Sequence, residues 1–313
     1  MNITIVIPTF NEVNNIDLIL DELKQKIFEK KKEINFDILI IDNNSNDGTQ
    51  LKIKKIASEN NFVKVIINRR NFGPFRSPFY ALMQVQTDAA IIIPADFQIP
   101  IVEIHTLIEK FKEGHDVVLF KRKRNKENLL IKGLRSFFYK TLNMFSDRKL
   151  IENATGDGIY SIQSLKILKE FYDPYPFTRS LILEAGLNIS VLEYTHQKRR
   201  TGSSGYNFMS LVEAGLMGFV KHSRYFVRIM ILIGFALSLI SIFIALAFLF
   251  YKLFYWDNFE LGMAPIIIGL FGFNAFLLFI TGLIGEYLLT ILDYSRKFPL
   301  VIEKERINFD KKI

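Results

Sequence analysis

Three apolar runs in the first third of this 313-residue chain each stop at a carboxylate. Asn2-Ile3-Thr4-Ile5-Val6-Ile7-Pro8 leads into Thr9-Phe10-Asn11-Glu12. Phe36 to Ile41 closes on Asp42-Asn43-Asn44-Ser45-Asn46-Asp47-Gly48-Thr49. Ala89-Ala90-Ile91-Ile92-Ile93-Pro94-Ala95 stops at Asp96, with Gln98 two residues later. Apolar runs without alternation suit strands buried on both faces of a parallel sheet. Strands that end at an acid deliver it to the carboxyl edge, where open α/β sheets bind their ligands. A carboxylate there can accept hydrogen bonds from the ribose or base of a nucleotide, or hold a hard divalent cation beside a diphosphate. The plain alternative is a turn: Asp42 to Asp47 is rich in the Asn, Asp and Gly that turns prefer, and Asp96 is also an ordinary turn opener.

Helices must alternate with these strands for the acids to share an edge. Ile16, Ile19, Leu20 and Leu23 recur at helical spacing after a possible Asn14 or Asn15 cap. A helix from about residue 50 to 60 precedes a strand at Val63 to Ile67. The loop Asn68-Arg69-Arg70-Asn71-Phe72-Gly73-Pro74 leads to a helix near Ser77 to Gln86 and then to the run that ends at Asp96. This alternation indicates βαβ units and a mostly parallel, nucleotide-binding type of α/β domain. No Gly-x-Gly-x-x-Gly follows the first strand and no Gly-Lys-Ser/Thr occurs, so dinucleotide-dehydrogenase and P-loop chemistry lose their main support.

The C-terminal part has a different composition. The mean hydropathy of +0.19 arises largely from residues 229–251 and 261–285, neither of which holds a charged residue. Each run exceeds the roughly 20 residues that a bilayer-spanning helix needs. Lys221, Arg224 and Arg228 precede the first run. Arg296, Lys297, Lys304, Arg306, Lys311 and Lys312 follow the second, and the connecting loop sets Lys252 against Asp257 and Glu260. The positive-inside rule then puts both outer flanks, and both termini, in the cytoplasm. Phe208 to Val220 is amphipathic and suits the membrane interface.

The expected division is a catalytic domain at 1–206, an amphipathic juxtamembrane helix at 207–228, two spans within 229–295 and a basic tail at 296–313. Net charge is +8, and its position favours an anionic membrane surface over nucleic acid, for which no recognition motif is present. The start of the chain lacks a basic n-region, so no cleavable signal is expected. The absence of Cys removes disulfide and thiolate chemistry. The four His residues show no metal-ligand spacing, and Lys121-Arg122-Lys123-Arg124 reads as a solvated face or as a site for headgroups or acceptor.

The ordered motifs Ile5 to Glu12, Ile41 to Thr49, Asn71-Phe72-Gly73 and Ala95-Asp96-Phe97-Gln98 resemble family 2 glycosyltransferases of the Rossmann-like GT-A fold. With two C-terminal spans, the chain is similar to bacterial polyprenyl-phosphate glycosyltransferases, relatives of dolichol-phosphate mannose synthase. The resemblance covers about residues 1 to 295. It implies an enzyme of the bacterial cytoplasmic membrane that inverts the anomeric carbon of a UDP- or GDP-linked sugar on transfer to polyprenyl phosphate. Pro8, Asn11, Glu12, Asp42, Ser45, Asp47, Asn71 and Gln98 would then contact or shape the donor site. Asp96 would be catalytic and the metal ligand for Mg²⁺ or Mn²⁺, although Pro94 stands where relatives carry the first acid of Asp-x-Asp. Pro74 likewise takes a position that is often Lys.

In the acceptor half, Asn153-Ala154-Thr155-Gly156-Asp157-Gly158 resembles the family's Gly-Asp segment, which makes Asp157 a candidate base or second acid. A Gly-Asp-Gly turn is the alternative. Arg179 would face a phosphate. Gln197 to Tyr206 resembles the Arg-x-x-Gly-x-Ser-Lys-Tyr loop, so Arg199, Arg200, Ser204 and Tyr206 would bind the acceptor phosphate, with Gly205 in place of Lys. Guanidiniums and glycine-exposed amides suit phosphate, and a basic loop touching anionic lipid is compatible with that role. Glu286 reads either as an interfacial anchor or as a contact in a homo-oligomer. A non-catalytic nucleotide-sugar-binding scaffold and a polysaccharide synthase with a hydroxyl acceptor are the competing readings. The lone Trp256 lies between the spans, outside any Gln-x-x-Arg-Trp segment of the synthase kind.

Overall fold

β1 (Asn2–Thr9) is the strand around which the sheet is built, and its sequence says why. Ile3, Ile5, Val6 and Ile7 are all fully buried, so both faces of the strand are covered. The computed structural model describes residues 1–123, 151, 153–197, 199–200, 243, 254, 263–296 and 298–309. The chain divides into two compact units. One comprises Met1–Gly133, Leu150–Gly205 and Lys297–Ile313; the other comprises Leu134–Lys149 and Tyr206–Arg296.

The first unit holds an eight-stranded mixed sheet. β1 pairs in parallel with β2 (Asn35–Asp42) and β4 (Ala89–Ile92), and β2 with β3 (Val63–Asn68). β5 (Val117–Arg122) pairs in parallel with β7 (Ile189–Tyr194). The intervening β6 (Ala154–Ser161) runs antiparallel to both β4 and β5. β8 (Glu303–Ile307) closes the far edge antiparallel to β3, giving the order β7-β5-β6-β4-β1-β2-β3-β8. β1, β2 and β4 point the same way, so the residues that follow them share one edge of the sheet.

Helices fill both faces. Ile3, Ile5 and Ile7 pack in one apolar layer with α1 (Ile16–Leu23), α2 (Thr49–Glu59) and α4 (Glu103–Lys112). Val6, Leu39 and Ile66 pack in the other with α3 (Gly73–Leu82) and with the helices Ile162–Glu170 and Thr178–Glu184. Each fully buried Ile stabilises the sheet by about 1.5–3 kcal/mol relative to exposure. The α/β class and the four parallel strands match the sequence expectation.

Three local expectations need correction. The helix expected near residues 77–86 begins earlier, at Gly73, because Pro74 lies in the first turn, where the missing N–H has no intrahelical partner to lose. Asn15 stands at the α1 N-cap without a side-chain cap; its amide instead donates to Glu12 Oε2 at 2.6 Å. Residues 303–307, read as part of a separate basic tail, form β8 and belong to the sheet unit. Alternating charge hides that strand from a hydrophobicity scan. Its side chains are partnered along the edge: Tyr80 Oη donates to Glu303 at 2.9 Å, Arg306 donates to Gln84 at 2.9 Å, and Lys54 pairs with Glu305.

In the second unit the helix Met263–Arg296 runs for 34 residues, about 50 Å at 1.5 Å per residue. Taken over the described residues alone, no helix is long and apolar enough to cross a membrane. The expected span at 229–251 lies outside the described residues apart from Phe243, and the amphipathic stretch at 207–228 lies wholly outside them.

Gly158 is the most closely approached of the described glycines. A Cβ built there would stand 2.1 Å from the Val118 carbonyl oxygen on β5. The three nearest atoms are all β5 backbone, which leaves no flexible side chain to give way. Gly158→Ala should lower stability by about 2 kcal/mol or more, as overpacking typically does, and a fall in the thermal midpoint of the purified protein checks it.

Candidate active site

The turns after β1 and β2 are interlocked by their own polar side chains. Asp42 ends β2 fully buried. Its Oδ2 accepts from the Ser45 amide at 2.9 Å and its Oδ1 from the Ser45 hydroxyl. Burial pushes the Asp42 carboxyl above its usual range, and those hydrogen bonds oppose the rise. Ser45 Oγ in turn accepts from the Asn11 amide at 2.8 Å, and Asn11 Oδ1 accepts from the Asn46 amide at 3.0 Å. Asp47 accepts from the amides of Val13 (3.1 Å) and Thr49 (3.0 Å), while Thr49 Oγ1 accepts from the Glu12 amide at 3.0 Å. Burial would raise Asp47, but the Thr49 hydroxyl and these amides outweigh it and hold the carboxyl below its usual range.

Pro8 stands beside Ile41 in the β1–β2 register. Asn71 Oδ1 accepts from Asn43 Nδ2 at 2.7 Å and from the Gly73 amide at 2.8 Å, which shapes the start of α3. Of the residues expected to bind donor, Asp42, Ser45, Asp47 and Asn71 thus build the loops. Glu12 is half-buried. Burial raises its pKa, the Asn15 hydrogen bond and Arg199 lower it, and Asp96 and Asp47 raise it again.

Asp96 follows β4 in a turn that is nearly inaccessible, with 4% of its surface exposed. Its Oδ1 accepts from the Gln98 amide at 3.1 Å, and its Oδ2 accepts from Arg199 Nε at 2.9 Å. Phe97 between them has φ of +61°, a left-handed conformation that costs a bulky residue about 1–2 kcal/mol. Gln197, Arg199 and Arg200 all contact this turn. The Gln197 amide donates to the Gln98 carbonyl at 3.1 Å. The Arg200 guanidinium lies 4.0 Å from the Phe97 ring centre and bonds Glu22 of α1 at 2.7 Å. Arg200, expected on the acceptor phosphate, thus joins α1 to the turn through Glu22 and Phe97.

Asp157 lies on β6 and not in a loop, one residue beyond the Gly158–Ile92 pair that joins β6 to β4. This brings it into the electrostatic range of Asp96 from the other side of the site. Its pKa is pushed up to about 6, mainly by burial, with Asp96 adding to the rise and Thr155, Arg122 and Arg179 opposing it. Arg179 donates to the Ala154 carbonyl at 2.6 Å and stacks 4.4 Å from the Phe177 ring centre.

Two contributors escaped sequence reasoning. Arg122, in a run that read as a solvated face or as a headgroup or acceptor site, is paired in register with Tyr194 and acts on Asp157 and His196. Its neighbour Lys121 bonds Glu193 at 2.8 Å. His196, read as a loop residue, lies 3.4 Å from Tyr194 Oη; burial and Arg122 hold its pKa below the usual value while Asp96 opposes them. Nothing in their spacing marked either residue, because strand pairing between distant segments brings them in. Ser204 and Tyr206 lie outside the described residues.

Among the described residues no three His, Asp or Glu side chains form a ready cation site. Asp96 offers one carboxylate whose two oxygens are both hydrogen-bonded. Mg²⁺ is ordinarily held by one or two carboxylates together with substrate phosphates and water. The residues therefore fit a cation that arrives with a diphosphate, with Asp96 as its protein ligand, and do not fit a free-standing one.

Residues 4–170 match the model of Glycosyl transferase family 2. The chain belongs to that family. The chain is 28% identical over 303 residues to the putative glycosyltransferase CsbB of Bacillus subtilis (strain 168), covering 97% of this chain and 91% of that one. It is 28% identical over 307 residues to the bactoprenol glucosyl transferase of Shigella phage SfX, covering 98% and 100%. The S. aureus TarS 1–349 fragment solved with UDP-GlcNAc overlays with a TM-score of 0.42 at 20% identity, over 71% of this chain and 67% of that one. No shared site follows from so partial an overlay. The mixed sheet of this glycosyltransferase is GT-A-like, and the acids after β1, β2 and β4 sit at the carboxyl edge where such a sheet takes ligands.

The raised pKa of Asp157 has a consequence for folding. The folded chain keeps that proton up to about pH 6, whereas the unfolded chain releases it near 3.8. Stability should therefore fall as pH rises from about 4 to 6 and stay lower above it. Asp157→Asn removes the penalty: at pH 7.5 the variant should be more stable than the parent by up to about 3 kcal/mol. The gain should vanish near pH 4, and thermal midpoints at the two pH values check it.

Proposed function

We propose that this family 2 glycosyltransferase moves a sugar, with inversion, from a nucleotide-activated donor onto polyprenyl phosphate at the cytoplasmic face of a bacterial membrane. The observation that carries the reading is the meeting of Glu12, Asp96, Asp157, Arg179 and Arg199 at one sheet edge. End-to-end similarity to a bactoprenol glucosyl transferase supports the acceptor class.

The donor nucleotide would lie over the interlocked β1 and β2 turns, with Glu12 and the Asp42 loop framing the nucleoside. A divalent cation, when bound with the donor, would offset charge on the departing diphosphate. Asp96 would hold the donor end of the site, and Arg199 would meet phosphate oxygens there. A phosphate acceptor is already anionic near neutral pH, so positioning matters more than a strong base. Arg179, beside Asp157, is placed for that positioning. Asp157 is ionised above about pH 6 and could take a proton from a monoprotonated phosphate or a hydroxyl acceptor.

The proposed membrane association rests on residues 261–285, which carry no charge. It is supported by the exposure of Ile266, Phe273, Leu277, Ile284, Leu288, Leu289, Ile291 and Leu292 along a helix long enough to cross a bilayer if apolar throughout. The basic flanks favour a cytoplasmic catalytic unit.

Membranes containing the protein, given radiolabelled nucleotide sugars, should move label into chloroform-extractable lipid. Asp96→Ala should remove at least about 99% of the transfer, a loss of roughly 3 kcal/mol of transition-state stabilisation. Unchanged transfer in that variant, or label confined to water-soluble products, defeats the reading. With the parent, kcat/KM should decline below about pH 6 as Asp157 takes up its proton.

A further inference from the structure

The least expected contact in the site is the one Asp96 makes. Its carboxylate is almost wholly buried, and the cation it faces is a side chain, Arg199 Nε at 2.9 Å. The other oxygen is held by the Gln98 amide. Pro94 supplies no second carboxylate two residues earlier. An added cation would have to compete with a guanidinium for the only acid in the turn, and like charges would repel it.

The neighbours of Arg199 are fixed independently of it. Gln197 is bonded through its backbone to Gln98, and Arg200 is bound both to Glu22 and to the Phe97 ring. With Gln197 and Arg200 each anchored, the Arg199 side chain can change partner while those two contacts stay in place. A diphosphate is a stronger partner than one carboxylate, since it offers several charged oxygens to the guanidinium fork.

We propose that Arg199 is a latch on Asp96: the Asp96 carboxylate is closed to a cation until a nucleoside diphosphate draws Arg199 away and brings the cation with it. This rests on the donor site proposed above. Arg199 is a positioning residue in this scheme, acting on the cation through Asp96. Donor and cation enter together, and a bare cation is refused by charge and by ligand count.

Equilibrium dialysis of the purified full-length protein in detergent with Mn²⁺ tests this without any turnover. The parent should bind no Mn²⁺ at micromolar concentrations alone and about one equivalent with UDP or GDP present, after correction for Mn²⁺ held by free nucleotide. Arg199→Gln should bind Mn²⁺ without nucleotide at least about tenfold more tightly than the parent, because the buried Asp96 charge then lacks its counter-ion. Arg199→Lys, which keeps the charge, should bind no more bare Mn²⁺ than the parent, and Asp96→Asn should bind none in either condition. Parent protein that binds Mn²⁺ equally with and without nucleotide, or an Arg199→Gln variant with a parent-like thermal midpoint and no gain in bare Mn²⁺, overturns the latch. Failure of Mn²⁺ to bind with either nucleotide overturns it as well. Loss of lipid labelling by the parent bears on the proposed function alone, since the latch is read from binding.

Discussion

The sheet edge depends on keeping charge stable where water is nearly absent. Asp42 ends β2 and Asp96 lies in the turn after β4, and almost none of either side chain is exposed. A buried carboxylate without partners is driven toward its neutral form. The two acids are handled differently. Asp42 is met by a serine hydroxyl and a backbone amide, which are neutral and belong to its own turn. Asp96 is met by an arginine 103 residues away. The first arrangement is permanent furniture of the fold. The second can be exchanged when another anion approaches the same guanidinium, and it places the flexible part of the electrostatics where a charged substrate would be handled.

Much of the fold was legible in the sequence because the strands that matter most are buried on both faces. β1, β2, β3 and β4 announce themselves as apolar runs, and the acids after β1, β2 and β4 follow from where those runs stop. The rest was hidden for definite reasons. β6 reads Ala-Thr-Gly-Asp-Gly-Ile-Tyr-Ser, with glycines that resemble a turn; the close approach of Gly158 to Val118 shows that they serve strand packing. β8 alternates charge, as exposed edge strands do to discourage further pairing. It could not have been told from a basic tail by composition.

The site was legible as a list of residue types and less so as a set of partnerships. Asp96, Asp157, Arg179 and Arg199 do share one electrostatic neighbourhood. Arg200 shows the limit. Next to Arg199 in a basic segment, it has the same chemistry and the same apparent purpose. Yet Glu22, which sits on α1 and had no motif to mark it, takes its charge and turns it onto Phe97. Arg199 reaches Asp96 while Arg200 reaches Glu22 and the Phe97 ring, so the anion that each finds is set by tertiary structure.

The site is therefore a property of the closed sheet and not of any single motif. Asp96 reports on β4, Asp157 on β6, Glu12 on β1 and Arg199 on the segment after β7, and these elements span nearly two hundred residues. Strand register brings them together, and the Arg199–Asp96 pair joins two of them directly. A one-residue slip between β4 and β6 would send the Asp157 side chain to the opposite face of the sheet, away from Asp96. Gly158 guards against that slip, since the β5 backbone admits no side chain at its position. The glycine beside the acid, which reads in the sequence as turn chemistry, thus fixes the register that lets the two carboxylates influence each other. Burial accounts for most of the raised pKa of Asp157, and the nearness of Asp96 adds to it.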